Sequence, residues 1–144
     1  MPGIETLTTV LCEEVRKEAS GQATIVGALN RGPYIAANGD TQLGRLGIYI
    51  EAKLVDVERI RFRLRNSASA QIVLESEFSF SLKDELHNLP EGVDLSEIEV
   101  NTQFVINKES VTLSGAGDYI LEAQVVEGDW EYMRSWEFPP ESDD

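Results

Sequence analysis

The 144-residue sequence predicts an all-β fold: an antiparallel β-sandwich of about eight strands, C2-like or immunoglobulin-like, with little or no helix. Hydrophobic and polar residues alternate along most of the chain, and Gly, Pro and Asn-Gly sites separate the alternating segments. Because a sheet with one apolar face buries it against another sheet, a sandwich is the usual solution and a closed barrel the alternative. We predict one domain over residues 1–139 and an acidic C-terminal tail at 140–144.

The alternation predicts strands at residues 6–15, 22–29, 46–55, 59–65, 72–82, 98–106, 119–125 and 130–138. In the clearest of them, three apolar residues from Ile60 to Leu64 alternate with four arginines. The next strand places Ile72 and Leu74 on one face and two glutamates on the other. The turn-prone stretch between these strands predicts a hairpin with one apolar face toward the core.

The charge distribution limits the partners. The net charge is −14; residues 1–65 carry an excess of one positive charge and residues 66–144 an excess of fifteen negative charges. A chain of this charge is repelled by nucleic acids and anionic membranes, so we expect neither as a partner. No apolar stretch approaches the ~18 residues of a membrane span, and a single cysteine excludes an internal disulfide. We expect a cytoplasmic protein, with a virion as the alternative location.

The N-terminal segment carries a short motif. It reads L-C-E-E-V-R-K-E at residues 11–18, followed by Gly21 and by T-I-V-G at 24–27. Over about residues 5–30 it resembles the opening of a family of small uncharacterised bacterial and phage β-rich proteins, a domain of unknown function with a Cys-acid-acid-Val-Arg motif. Gln22 stands where that family has a lysine. The resemblance implies a small β-rich domain and no assigned activity.

No motif for catalysis is recognisable. Cys12 lies in an apolar segment, where a cysteine behaves as a small hydrophobe, and His87 is the only histidine. A Cys12–His87 dyad has no activating residues around either member, and no phosphate-binding Gly loop is present. We therefore predict no catalytic residues and no cofactor, and keep an unrecognised carboxylate-based enzyme as an alternative.

Calcium is the main alternative ligand, because acidic loops at one end of a C2-like sandwich supply the oxygen atoms that Ca²⁺ prefers. The candidate ligands are Asp94, Glu97 and Glu99 in one group and Glu127, Asp129 and Glu131 in another. Alternation of Glu97 and Glu99 along a predicted strand is more typical of a solvated face. We predict no metal site and keep a calcium-dependent binding module as the alternative.

The arginine stripe is the first candidate partner-binding surface; it comprises Arg59, Arg61, Arg63 and Arg65. Its structural interpretation is a cross-strand charge ladder with Glu75 and Glu77, each pair stabilising by roughly 0.2–1 kcal/mol. Two glutamates do not neutralise four arginines. The remainder is expected to meet another acidic strand of this chain, or an acidic surface of a second copy.

The last strand is the second candidate surface. Alternation places Trp130, Tyr132, Arg134, Trp136 and Phe138 on one face, which either fills the core or, at a sheet edge, offers aromatic anchors to a partner. We predict a non-catalytic protein that binds another protein or assembles with itself. Its candidate contact residues are the four arginines with Trp130, Tyr132 and Trp136. By fold-level analogy alone, a phage or virion accessory structural protein would suit such a domain.

Overall fold

The computed structural model describes residues 3–29, 33–36, 40–79, 92, 94, 97–125 and 128–140. Strands make up 76% of these residues and helix 1%, which confirms the predicted all-β sandwich. The nine strands are Gly3–Cys12 (β1), Glu14–Lys17 (β2), Ala23–Val26 (β3), Asp40–Val55 (β4), Arg59–Asn66 (β5), Ile72–Ser79 (β6), Glu99–Ser114 (β7), Gly117–Val125 (β8) and Trp130–Phe138 (β9).

Two antiparallel sheets form the sandwich, with strand orders β1-β4-β7 and β6-β5-β8-β9. Alternate residues of each sheet point inward and bury one shared core. Phe62 of β5 packs edge-to-face on Phe104 of β7 with ring centroids 4.9 Å apart, and so joins the two sheets. Tyr119 of β8 stacks on Phe138 of β9 at 4.2 Å. The core therefore fixes β5, β8 and β9 side by side, with their opposite faces toward solvent.

A β2–β3 hairpin forms a third layer on the outer side of the three-stranded sheet. The chain bends at Glu13, so the predicted strand over residues 6–15 is wrong and divides into β1 and β2. Val15 then packs in a small buried cluster with Cys12 and Tyr49. The Asn107 side chain accepts a hydrogen bond from the Val15 N–H at 2.8 Å and donates one to the Val15 carbonyl at 2.7 Å. This amide holds the hairpin on β7 as a neighbouring strand would.

A β-bulge reverses the expected facing of one apolar residue. The register between β5 and β6 shifts between Leu64 and Arg65, so that Arg65 lies opposite Ile72. Ile72 therefore faces solvent and is 48% exposed. The prediction that Ile72 shares the apolar face of Leu74 is wrong, because one extra residue in a bulge inverts a period-two pattern beyond it.

Two side-chain amides join the β5–β6 turn to the end of β7. The buried Asn66 amide donates to the carbonyls of Ser114 at 3.4 Å and Gly115 at 3.3 Å. Gln71 donates to the Thr112 carbonyl at 3.2 Å and accepts from the Ser114 N–H at 3.0 Å. Because β7 is an edge strand of its sheet, Gln71 covers backbone groups that would otherwise be open to strand addition.

Candidate interaction face

The solvent side of the four-stranded sheet gathers most of the candidate residues, and we call it the arginine face. Its membership follows from the register, because residues opposite each other in neighbouring antiparallel strands point to the same side. It comprises Ile72, Glu75, Glu77 and Ser79 of β6; Arg59, Arg61, Arg63 and Arg65 of β5; Asp118, Ile120, Glu122 and Gln124 of β8; and Trp130, Tyr132, Ser135 and Glu137 of β9.

The β6 side of the arginine face holds two exposed ion pairs. Arg59 lies 3.3 Å from Glu77, and Arg61 donates to Glu75 at 2.8 Å. The predicted ladder between the arginine stripe and these two glutamates is therefore confirmed. Both pairs are well exposed, and such pairs contribute only about 0–1 kcal/mol each. Arg59 and Arg61 thus exchange partners at little cost.

The β8 side holds a buried charge cluster around Glu122. One oxygen of this carboxylate, Oε1, accepts hydrogen bonds from Arg63 Nε at 2.9 Å and Arg65 Nε at 2.6 Å, while Oε2 accepts from Arg65 at 3.4 Å. The Glu122 side chain is only 10% exposed. Burial opposes its ionisation, but the hydrogen bonds and charges of the two arginines outweigh burial and hold the pKa of Glu122 below its ordinary value of 4.5.

Glu122 is the acidic residue that pairs with the remaining arginines, Arg63 and Arg65, and its single carboxylate leaves one positive charge in this cluster. The sequence left open another acidic strand on the far side of β5, and β8 is that strand. The alternation placed Glu122 on the outward face, but it gave no reason to pair β8 with β5. The chain separation from Arg63 is 59 residues, and period-two patterns identify faces rather than neighbours.

A second bulge divides the aromatic residues of β9 between the two faces of the sheet. The register with β8 shifts between Leu121 and Glu122, so Tyr132 lies opposite Glu122 while Trp136 lies opposite Tyr119. Trp130 and Tyr132 therefore join the arginine face, whereas Trp136 is 3% exposed and belongs to the core. The prediction of one shared aromatic face is wrong, and Trp136 is not available to a partner.

Trp130 covers the buried charge cluster. The guanidinium carbon of Arg63 lies 3.9 Å from the centroid of the Trp130 ring, a cation–π contact. This ring and the two arginines shield the Glu122 carboxylate from water. The centre of the arginine face is therefore held by contacts within the chain.

Arg134 acts at the rim of the sandwich, below the arginine face. It lies 5.1 Å from the Trp136 ring centroid and donates to the Thr9 carbonyl at 2.6 Å. A guanidinium at this place links the edge strand β9 to the edge strand β1 of the other sheet. It also occupies a backbone acceptor of β1, which hinders strand addition there.

The arginine face carries two exposed large apolar side chains. Within the described ranges, the large hydrophobic side chains that are well exposed are Leu7, Tyr34, Ile72 and Tyr132. Two of the four, Ile72 and Tyr132, belong to this face, and Tyr132 is the most exposed at 64%. Exposed aromatics beside arginines are the composition of protein-binding hot spots.

The far end of the arginine face is acidic. Asp118 and Glu137 lie directly opposite each other on β8 and β9, and both are exposed. Neither carboxylate has a cation within salt-bridge distance among the described residues. Like charges in this relation destabilise a sheet. The face thus has arginines at one end and an uncompensated acidic pair at the other.

The described residues do not form either of the alternative sites, and two candidate members of those sites lie outside the described residues. Burial raises the pKa of the Cys12 thiol to about 11, and the thiol donates to the Gly47 carbonyl at 3.4 Å. His87 and Glu127 lie outside the described residues. Within the described part of the chain, no group of three or more His, Cys, Asp or Glu residues is placed to hold a metal ion.

Two open pockets lie next to the three-stranded sheet. One, of about 670 Å³, lies between the β2–β3 hairpin and β4, and Glu14 at its rim accepts from both Arg16 at 3.2 Å and Arg45 at 3.0 Å. The other, of about 930 Å³, runs along β7 from Val100 to Val105. This second pocket reaches Ser79, which lies opposite Arg59 at one end of the arginine face.

Comparison with protein-family models and with curated protein sequences finds no match to the chain. The resemblance of residues 5–30 to an uncharacterised family therefore stays a prediction. In the described ranges, no helix has the length and hydrophobicity needed to cross a membrane.

Proposed function

We propose that the protein is a non-catalytic binding module that contacts a protein partner through the arginine face. The observation that supports this function best is the placement of Trp130 and Tyr132 beside the arginine stripe by the β9 bulge. Two surfaces that the sequence treats separately become one, with exposed apolar, aromatic and arginine side chains together.

The energetics of the face favour protein binding. Its centre is already ordered by the contact of Trp130 with Arg63 and by the bonds of Glu122, so little side-chain entropy remains to be lost there. The exposed ring of Tyr132 and the side chain of Ile72 gain most from burial under a partner. Arg59 and Arg61, held only by exposed pairs, are free to select a partner by charge.

A photo-cross-linking experiment tests this function. The photoreactive residue p-benzoylphenylalanine replaces Tyr132 in one variant and Leu7 of β1 in a matched control, since both side chains are exposed. We expect irradiation in the native host to give one adduct of defined mass from position 132 and none from position 7. Equal adduct patterns from the two positions, or no adduct from either, would contradict the proposal.

A further inference from the structure

We infer that the partner of the arginine face is a second copy of this chain, packed face to face with its strands running in the opposite direction. This inference rests on the proposed function and names the partner. It is carried by the charge pattern of the face: Arg59 and Arg61 at one end, and at the other Asp118 and Glu137, which form no ion pair with any described residue.

The two ends of the arginine face are complementary in charge. Arg59 and Arg61 have exposed partners that exchange readily, and the buried Nε of Arg61 has no hydrogen-bond acceptor among the described residues. Asp118 and Glu137 lie opposite each other with no cation nearby in the described part of the chain, an arrangement that costs free energy in the isolated chain. A surface that brings arginines to the acidic end relieves the repulsion there.

The spacing allows one surface to satisfy both ends. The Ser67 N–H donates to the Asp118 carbonyl, so Asp118 lies eight residues along the sheet from Arg59, or about 26 Å at ~3.3 Å per residue. Halfway between them, Arg63 lies opposite Glu122, which in turn lies opposite Tyr132. A two-fold axis across the strands at this row lays each strand over its own copy in the opposite direction. The arginine end of each copy then meets the acidic end of the other, with Asp118 one strand to the side of Arg59, twice, in a closed dimer.

The same axis brings the two Tyr132 rings together along the β9 edge of the interface. Burial of the two tyrosine rings supplies the hydrophobic part of the free energy of association, which charge pairs alone would not provide. Each chain carries a net charge of −14, so the copies repel at long range. Because the Debye length at physiological salt is about 8 Å, this repulsion is largely screened while contacts at the interface are kept.

A charge-reversal experiment tests the inference. One variant carries Arg59→Glu and Arg61→Glu, and the other carries Asp118→Lys and Glu137→Lys. Each variant alone places like charges at both ends of the dimer, so we expect the dissociation constant to rise about tenfold or more. In a mixture, both pairs of ends again join opposite charges, and we expect dimers to return.

The readout is the solution mass by light scattering, with unfolding monitored by circular dichroism to show that each variant is folded. The wild-type chain and the mixture should give twice the 16.0 kDa mass of one chain, and each variant alone the mass of one. A wild-type monomer, or a mixture that stays monomeric, overturns the inference. Either result leaves the proposed function standing if position 132 still cross-links to a different protein.

Disulfide trapping covers the case in which a charge-reversed variant does not fold. Tyr132→Cys places a thiol on the two-fold axis, and Leu7→Cys is the matched control on another strand. The native Cys12 is fully buried and does not compete. Mild oxidation should link the Tyr132→Cys chains into dimers and leave the control as monomers. Equal linking of the two variants, or none, overturns the inference.

Discussion

Substitution of Glu122 by Gln is the sharpest test of how the arginine face is held together. The change keeps the shape of the side chain and removes its charge, which leaves Arg63 and Arg65 facing each other around a neutral amide. Removal of one partner from a fully buried ion pair costs about 3–5 kcal/mol. The two arginine side chains are 22% and 27% exposed, so water partly replaces the lost contacts, and we expect a loss of about 2–3 kcal/mol.

Thermal and urea unfolding of both proteins measure this cost. For a domain of this size, a loss of about 2–3 kcal/mol lowers the melting temperature by roughly 6–10 °C. Glu77→Gln is the matched control, because Glu77 makes one exposed pair with Arg59, and we expect it to change stability by less than about 0.5 kcal/mol. Equal effects of the two substitutions would refute the buried cluster as a stabilising element.

Three further outcomes follow from particular contacts. Folding lowers the pKa of Glu122, so the stabilisation of the fold by its ionised carboxylate is complete above pH 4.5 and is lost as the pH falls through the lowered pKa. The difference in melting temperature between wild type and Glu122→Gln should therefore shrink below pH 4.5. Asn66→Ala removes the amide that donates to the Ser114 and Gly115 carbonyls and accepts from two N–H groups of the turn. We expect the free energy of unfolding in urea to fall by about 2–3 kcal/mol. An unchanged unfolding midpoint would show that water replaces these hydrogen bonds. Gly47→Val should lower the melting temperature, because even a Cβ there would lie 3.2 Å from the Glu14 Cα; an unaltered melting temperature would mean that the β2–β3 hairpin is free to shift.

The sequence predicts the fold where period two is unbroken. Ile60, Phe62 and Leu64 are buried and the arginines between them face outward, as the alternation indicates. It fails at the bulges, where Ile72 and the aromatic residues of β9 change face, because no Gly or Pro marks the extra residue at either place. Bulges depend on how neighbouring strands pair, which is information that a single strand does not contain.

The candidate site was predictable in its parts but not in its assembly. Both the arginine stripe and Trp130 with Tyr132 are visible in the sequence, but only the order β6-β5-β8-β9 joins them on one face. The acidic pair of Asp118 and Glu137 gave no signal, since each residue is one of 26 acidic residues in the chain. Long-range pairing of strands, fixed by the shared core, decides which of them become neighbours.

The central claim, that the arginine face is a protein-binding surface, is tested most directly by cross-linking at position 132 in two backgrounds. The yield of the adduct is compared between the otherwise wild-type chain and the chain that also carries Arg61→Glu, with the photoreactive residue at position 7 as the control. We predict a strong adduct from position 132 that Arg61→Glu abolishes, and none from position 7. The same yield from both positions, unaffected by Arg61→Glu, would contradict the claim.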